Sequence, residues 1–214
     1  MRTQFNKAFT ILELVLVIVV VAILAALSIP RLDRDIAQEA SDTILSDIRY
    51  TQQMAVNDFK QDFTDNKWQK GFWKISFEKC SDNGYFIMIG TDMDHEGDID
   101  REEAALDPTN GKPFFWENTS DCEDGGDGTV SEHIFLTKKY GVKNVESSGS
   151  CAGKKFIAFD QLGRPQTTLS DDPTYVGYAN SVCTFTFTMS DDSTISVNIL
   201  PETGYAYIDG QEDS

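Results

Sequence analysis

Apolar positions follow two regimes along this chain. From Phe9 to Ile29 they are nearly continuous, broken only by Thr10, Glu13 and Ser28. Beyond that run, Leu32, Ile36, Ala40, Ile44, Ile48, Ala55 and Phe59 recur at spacings of four or seven, which places them on one face of a helix. Together the two stretches predict a long helix from Thr10 to about Asn57, with its hydrogen-bond ladder disturbed locally at Pro30. At about 1.5 Å of rise per residue, residues 9–29 match the hydrocarbon thickness of a bilayer and read as a membrane-spanning first half, with an amphipathic second half over residues 30–59.

From about Lys60 the pattern changes to short alternating runs of aromatic and β-branched residues, separated by Gly, Asp, Asn and Ser. The predicted strands are Phe72–Phe77, Tyr85–Gly90, His133–Thr137, Lys155–Phe159, Cys183–Met189, Thr194–Ile199 and Tyr205–Ile208. The clearest hairpin turns at Ser190-Asp191-Asp192-Ser193. The expected class is α+β, with residues 60–214 forming a mostly antiparallel sheet or sandwich against the second half of the helix.

Charge narrows the function. The chain has 18 Lys and Arg against 35 Asp and Glu, a net −17. Such a surface excludes nucleic acid, which needs clustered cations. The basic start, Arg2 and Lys7 with no acid before Glu13, sets the N-terminus on the cytoplasmic side. Three readings of the first thirty residues follow: a cleaved secretory signal, an uncut signal anchor, or a leader trimmed ahead of a retained apolar helix. The apolar run is longer than a secretory signal needs, and a removable signal has no reason to lead into an amphipathic helix. Glu13 inside the run costs at least about 2.5 kcal/mol in hydrocarbon, which marks it as a functional residue in need of a partner.

Lys7-Ala8-Phe9-Thr10-Ile11-Leu12-Glu13-Leu14 resembles the processing site of type IV pilins and type II secretion pseudopilins, with Pro30 where such proteins often have a proline. The usual Gly before the cut is replaced by Ala8. The resemblance implies a pilin-like fold, removal of residues 1–8 by a prepilin peptidase that cuts between Ala8 and Phe9, and N-methylation of Phe9. It also implies that Glu13 pairs with the N-terminal amine of a neighbouring subunit. In the wrong register that carboxylate stays buried and unpaired, so the pair sets register during assembly. Losing Arg2 and Lys7 leaves 16 basic against 35 acidic residues, a net −19.

A second stretch, Phe156-Ile157-Ala158-Phe159-Asp160-Gln161-Leu162-Gly163-Arg164-Pro165 followed by Ser196 to Tyr205, is similar to the H-type minor pseudopilins of type II secretion and related minor pilins. Without the resemblance, Gly163 and Gly204 simply suit turns needing positive φ. The implied function is a structural, non-enzymatic subunit of a secretion pseudopilus. Its partners would be other pilin-like subunits and an inner-membrane assembly platform. It would sit as a single-pass protein of the bacterial inner membrane with its head in the periplasm, then in a filament. The alternatives are a minor pilin of a type IV pilus and, in another class, a membrane-anchored, calcium-dependent binding protein or adhesin.

Asp92 to Glu103 fits the twelve-residue ligand spacing of an EF-hand loop. Asp92, Asp94 and Glu96 take the first, third and fifth positions, Gly97 the sharp turn, Asp98 a backbone carbonyl, Asp100 the ninth position and Glu103 the bidentate twelfth. Hard oxygen donors in that order point to calcium, although Glu96 is longer than the usual Asp or Asn. The competing reading is a solvated acidic loop. Asp121 to Gly128, also acidic, reads as a loop. Four cysteines, Cys80, Cys122, Cys151 and Cys183, follow the apolar run and suggest two disulfides. Three pairings are open, of which Cys80 with Cys122 and Cys151 with Cys183 each close one loop-rich section. His95 and His133 lack a Ser or Cys elbow and no phosphate loop is present, so no catalytic set emerges. Trp68, Trp73, Trp116, Phe114 and Phe115 read as packing residues.

Overall fold

The structure, a computed structural model, describes residues 11–211 apart from 63, 82, 83, 118–121, 123, 124, 173, 175 and 176, with the backbone alone described over 26–35. Ala8 and Phe9, the expected cleavage positions, lie outside the described residues. So do Asp121, Glu123 and Asp124 of the second acidic stretch.

Helix α1 is Ile11–Asn57. The chain divides into two compact units after Gln38. In the first unit every side chain from Ile11 to Ala25 is exposed, Glu13 among them. The expectation of a membrane-spanning first half is corrected here: among the described residues no helix is long and apolar enough to cross a membrane.

The second unit, Glu39–Ser214, carries the last turns of α1 and two antiparallel sheets. The first sheet has β1 (Trp73–Lys79), β2 (Tyr85–Gly90), β4 (Phe156–Phe159) and β5 (Pro165–Gln166) in the order β2-β1-β4-β5. The second has β3 (Val142–Gly149), β6 (Cys183–Met189), β7 (Thr194–Ile199) and β8 (Ala206–Ile208) in the order β3-β6-β7-β8. In β6 the residues Cys183, Phe185, Phe187 and Met189 are buried and alternate with half-buried threonines, the period of a strand with one face on the core. Phe77 joins the two sheets, its ring centroid 4.8 Å from Phe185 and 5.1 Å from Phe187. Ala40, Ile44, Ile48, Thr51 and Ala55 form the buried stripe of α1.

Polar contacts attach the helix as well. Gln52 donates from Nε2 to the carbonyls of Gly163 and Thr203 at 2.8 and 2.9 Å, and Arg49 donates to the Ala206 carbonyl at 2.9 Å. The Gly163 and Gly204 turns thus meet on one side chain of α1. Both glycines have positive φ, and a Cβ on Gly204 would lie 2.2 Å from the Gly163 oxygen. Only glycine fits so close an approach in that conformation. Disulfides Cys80–Cys122 and Cys151–Cys183 hold the loops, with Cα separations of 6.3 and 5.0 Å.

Two sequence expectations change. Residues His133–Thr137 are not a strand; a 3-10 turn, Glu132–Ile134, leads into the short helix α2 (Leu136–Tyr140), which Gly141 ends with φ of 71°. Ile134, Phe135 and Leu136 are all buried, and in so short an apolar run packing rather than periodicity settles the conformation. Phe135 keeps a single bridge to Phe86. Strand β3 went unpredicted because it is largely polar, with only Val142 fully inside. It is an outer strand whose pairing with β6 rests on the backbone.

Candidate functional site

The acidic loop begins where β2 ends. Thr91 donates to the Glu103 carbonyl and Ala105 to that of Ile89, so the two ends of the loop are stitched together. Ile99, 3% exposed, packs so tightly over Gly90 that a Cβ there would come within 2.5 Å of its Cγ2. Inside this closure the chain turns at Gly97, with φ of 108°.

Of the six predicted ligands, the structure brings three together. Carboxylate oxygens of Asp92, Asp94 and Glu103 lie within 4.8 Å of one another. Glu103 is placed by the backbone: its Oε1 accepts from the amides of Met93 and Asp94 at 2.6 and 3.2 Å, and its Oε2 from Asp100 at 3.2 Å. Asp94 accepts from the Glu96 amide. The side chains of Glu96 and Asp100 do not join the cluster. Burial pushes the Asp100 carboxyl up, as does repulsion from Asp94, Asp98, Glu103 and Glu102. Asp98 offers its carbonyl, which accepts from Lys74 Nζ at 3.1 Å.

Asp92 differs from the rest because it is only 2% exposed. Its Oδ2 is 3.8 Å from Lys74 Nζ, and its Oδ1 has no hydrogen-bond partner. Lys74 comes from β1, and burial lowers its ammonium's pKa more than Asp92 and its acidic neighbours raise it. The pair lines a cavity of about 850 Å³ whose wall includes Phe86, Phe115, Trp116 and Phe156.

A second cluster escaped the sequence reading. Asp47 of α1, Asp107 of the loop after β2 and His133 of the 3-10 turn meet inside the second unit. His133 Nδ1 is 3.0 Å from Asp107 Oδ2, and its Nε2 is 3.4 Å from Asp47 Oδ2. Asp107 also accepts from Ser131, Thr109 and Asn110. Burial drives Asp47 upward against the pull of His133. Burial also raises Asp107, but the Ser131 and Thr109 hydrogen bonds outweigh it and hold the acid below its ordinary value. For His133, burial disfavours the charge, yet the two carboxylates win and the imidazole is raised. Ser131 lies 3.3 Å from His133 but is 0% exposed, and its hydroxyl is given to Asp107, so a substrate has no approach to it. The arrangement is an ionic clamp between helix and loop. Its one signal in the sequence was an acid, Asp47, within the apolar stripe of α1.

Compared with known proteins, the chain matches no protein-family model, no curated protein and no solved structure.

Proposed function

We propose that this protein is a filament subunit of the pilin-like class, a minor pseudopilin that assists protein export. The observation carrying this reading is the segment Lys7 to Leu14, in which a basic leader, a small residue, Phe9 and Glu13 stand in the order of a prepilin processing site. The supporting observation is the head, where the Gly163 and Gly204 turns, the residues similar to H-type minor pseudopilins, jointly seat Gln52 of α1. A minor pilin of a surface pilus shares all these features and is the second reading.

On this account a prepilin peptidase cuts before Phe9 at the inner membrane and the head faces the periplasm. Glu13 then accepts the charged amine of an incoming Phe9. An acid and an amine that meet only in one register reject the others, because each misaligned subunit leaves a charge unpaired in a poorly solvated place. Exposed apolar side chains from Ile11 to Leu24 supply the contact surface between helices. The subunit performs no bond chemistry, and an assembly platform in the membrane drives its incorporation.

The test is cross-linking of full-length protein in cells with an intact set of pilin-like subunits. The expected result is a ladder of mixed cross-links that Glu13→Gln abolishes while processing continues. A monomer that forms no cross-links in such cells would refute the proposal.

A further inference from the structure

The acidic loop is independent of the filament reading and carries chemistry that the reading does not use. Asp92, Asp94 and Glu103 converge within 4.8 Å. Acids so arranged are common on surfaces, but here one is 2% exposed with an oxygen that no donor reaches. A buried carboxylate oxygen without a partner is costly, and a cation beside it removes that cost. Only oxygen donors converge, since the one imidazole in the loop, His95, is turned to Asp65 at 3.3 Å, and an all-oxygen set suits a hard divalent ion.

The charge now balancing the cluster is Lys74. Its ammonium lies 3.8 Å from Asp92 and holds the Asp98 carbonyl at 3.1 Å, the backbone oxygen that the loop's spacing assigns to an ion. We propose that Asp92, Asp94 and Glu103 bind calcium, and that Lys74 is a built-in counter-charge which the ion displaces. The cavity of about 850 Å³ that Lys74 lines gives its side chain room to withdraw, and its departure frees the Asp98 carbonyl and Asp92 for the ion. The lysine keeps the loop folded without metal and weakens binding, so the site fills only at the high calcium levels found outside the cytoplasm.

The experiment is calorimetric titration and thermal melting of the full chain in mild detergent after chelator treatment, with calcium chloride and magnesium chloride as probes. Calcium should bind saturably at about 0.1–1 mM and, at 10 mM, raise the Tm by about 3–10 °C, with magnesium clearly weaker. Asp92→Asn and Glu103→Gln should lose the calcium response. Lys74→Met should bind calcium at least about tenfold tighter, since a positive charge leaves the site. Lys74→Gln serves if the methionine variant fails to fold. No saturable calcium signal, an equal response to magnesium, or wild-type affinity in Asp92→Asn would overturn the site. Unchanged or weaker affinity in both Lys74 variants would overturn the displaced counter-charge.

Discussion

Replacing His133 with Gln removes the one cation between two buried acids. Asp107 is 0% exposed, Asp47 8% and His133 15% by side chain, so the contact belongs with buried pairs rather than with surface pairs worth under about 1 kcal/mol. Removing one partner of a buried pair costs about 3–5 kcal/mol, and the partial exposure of His133 puts the expected loss near about 3 kcal/mol. For a chain of this size that lowers Tm by about 6–12 °C. The pH dependence gives a sharper check. A histidine whose folded pKa is raised contributes its full stabilisation below its unfolded value, about 6.5, and loses it as pH rises through the folded value. Asp47, also raised, acts in the same direction from the carboxylate range upward. Asp107, lowered, acts oppositely, and its contribution disappears only as acid protonates it. Urea denaturation of the full chain in detergent from pH 6 to pH 9 should show wild type weakening and His133→Gln nearly flat. A wild-type stability that rises over this range, or a variant that keeps the wild-type slope, refutes the clamp.

Gly204→Ala should destabilise the head by well over about 1 kcal/mol, because strain at φ of 66° adds to a Cβ 2.2 Å from the Gly163 oxygen. Gly210→Ala, at φ of 78° with nothing within 4 Å, should cost only about 1 kcal/mol, and equal losses in thermal melts would contradict the packing argument. Removing either disulfide by paired Cys→Ser substitution should cost up to about 4 kcal/mol, since the bridges span 42 and 32 residues; denaturation midpoints unchanged by reduction would show that the bridges do not form. Gln52→Leu should lower Tm by several degrees, because it strips a donor from two turn carbonyls. A neutral Gln52→Leu would mean that these turns are held by the sheets alone.

Legibility tracked how much of the physics is local. Strands β1, β2, β4, β6, β7 and β8 were readable because each alternates or concentrates apolar residues that one face must bury. The polar β3 and the two-residue β5 are fixed by partners distant in sequence, so no local pattern announces them. The run at Ile134, Phe135 and Leu136 offered helix and strand equally, and tertiary packing decided. Spacing singled out the loop whose acids converge, yet it could not say that Glu96 and Asp100 stay outside that cluster, nor that Lys74, eighteen positions before Asp92, lies against it. The His133 clamp joins residues from three separate segments. Only Asp47, polar on an apolar stripe, hinted at it.

Intact mass with N-terminal sequencing of membrane-derived protein, made with and without a prepilin peptidase, tests whether the chain is a processed filament subunit. A processed subunit begins at N-methylated Phe9 only when the peptidase is present, with Ala8 accepted in place of glycine. A chain that still begins at Met1 in both cases, or one cut near Ile29, contradicts it.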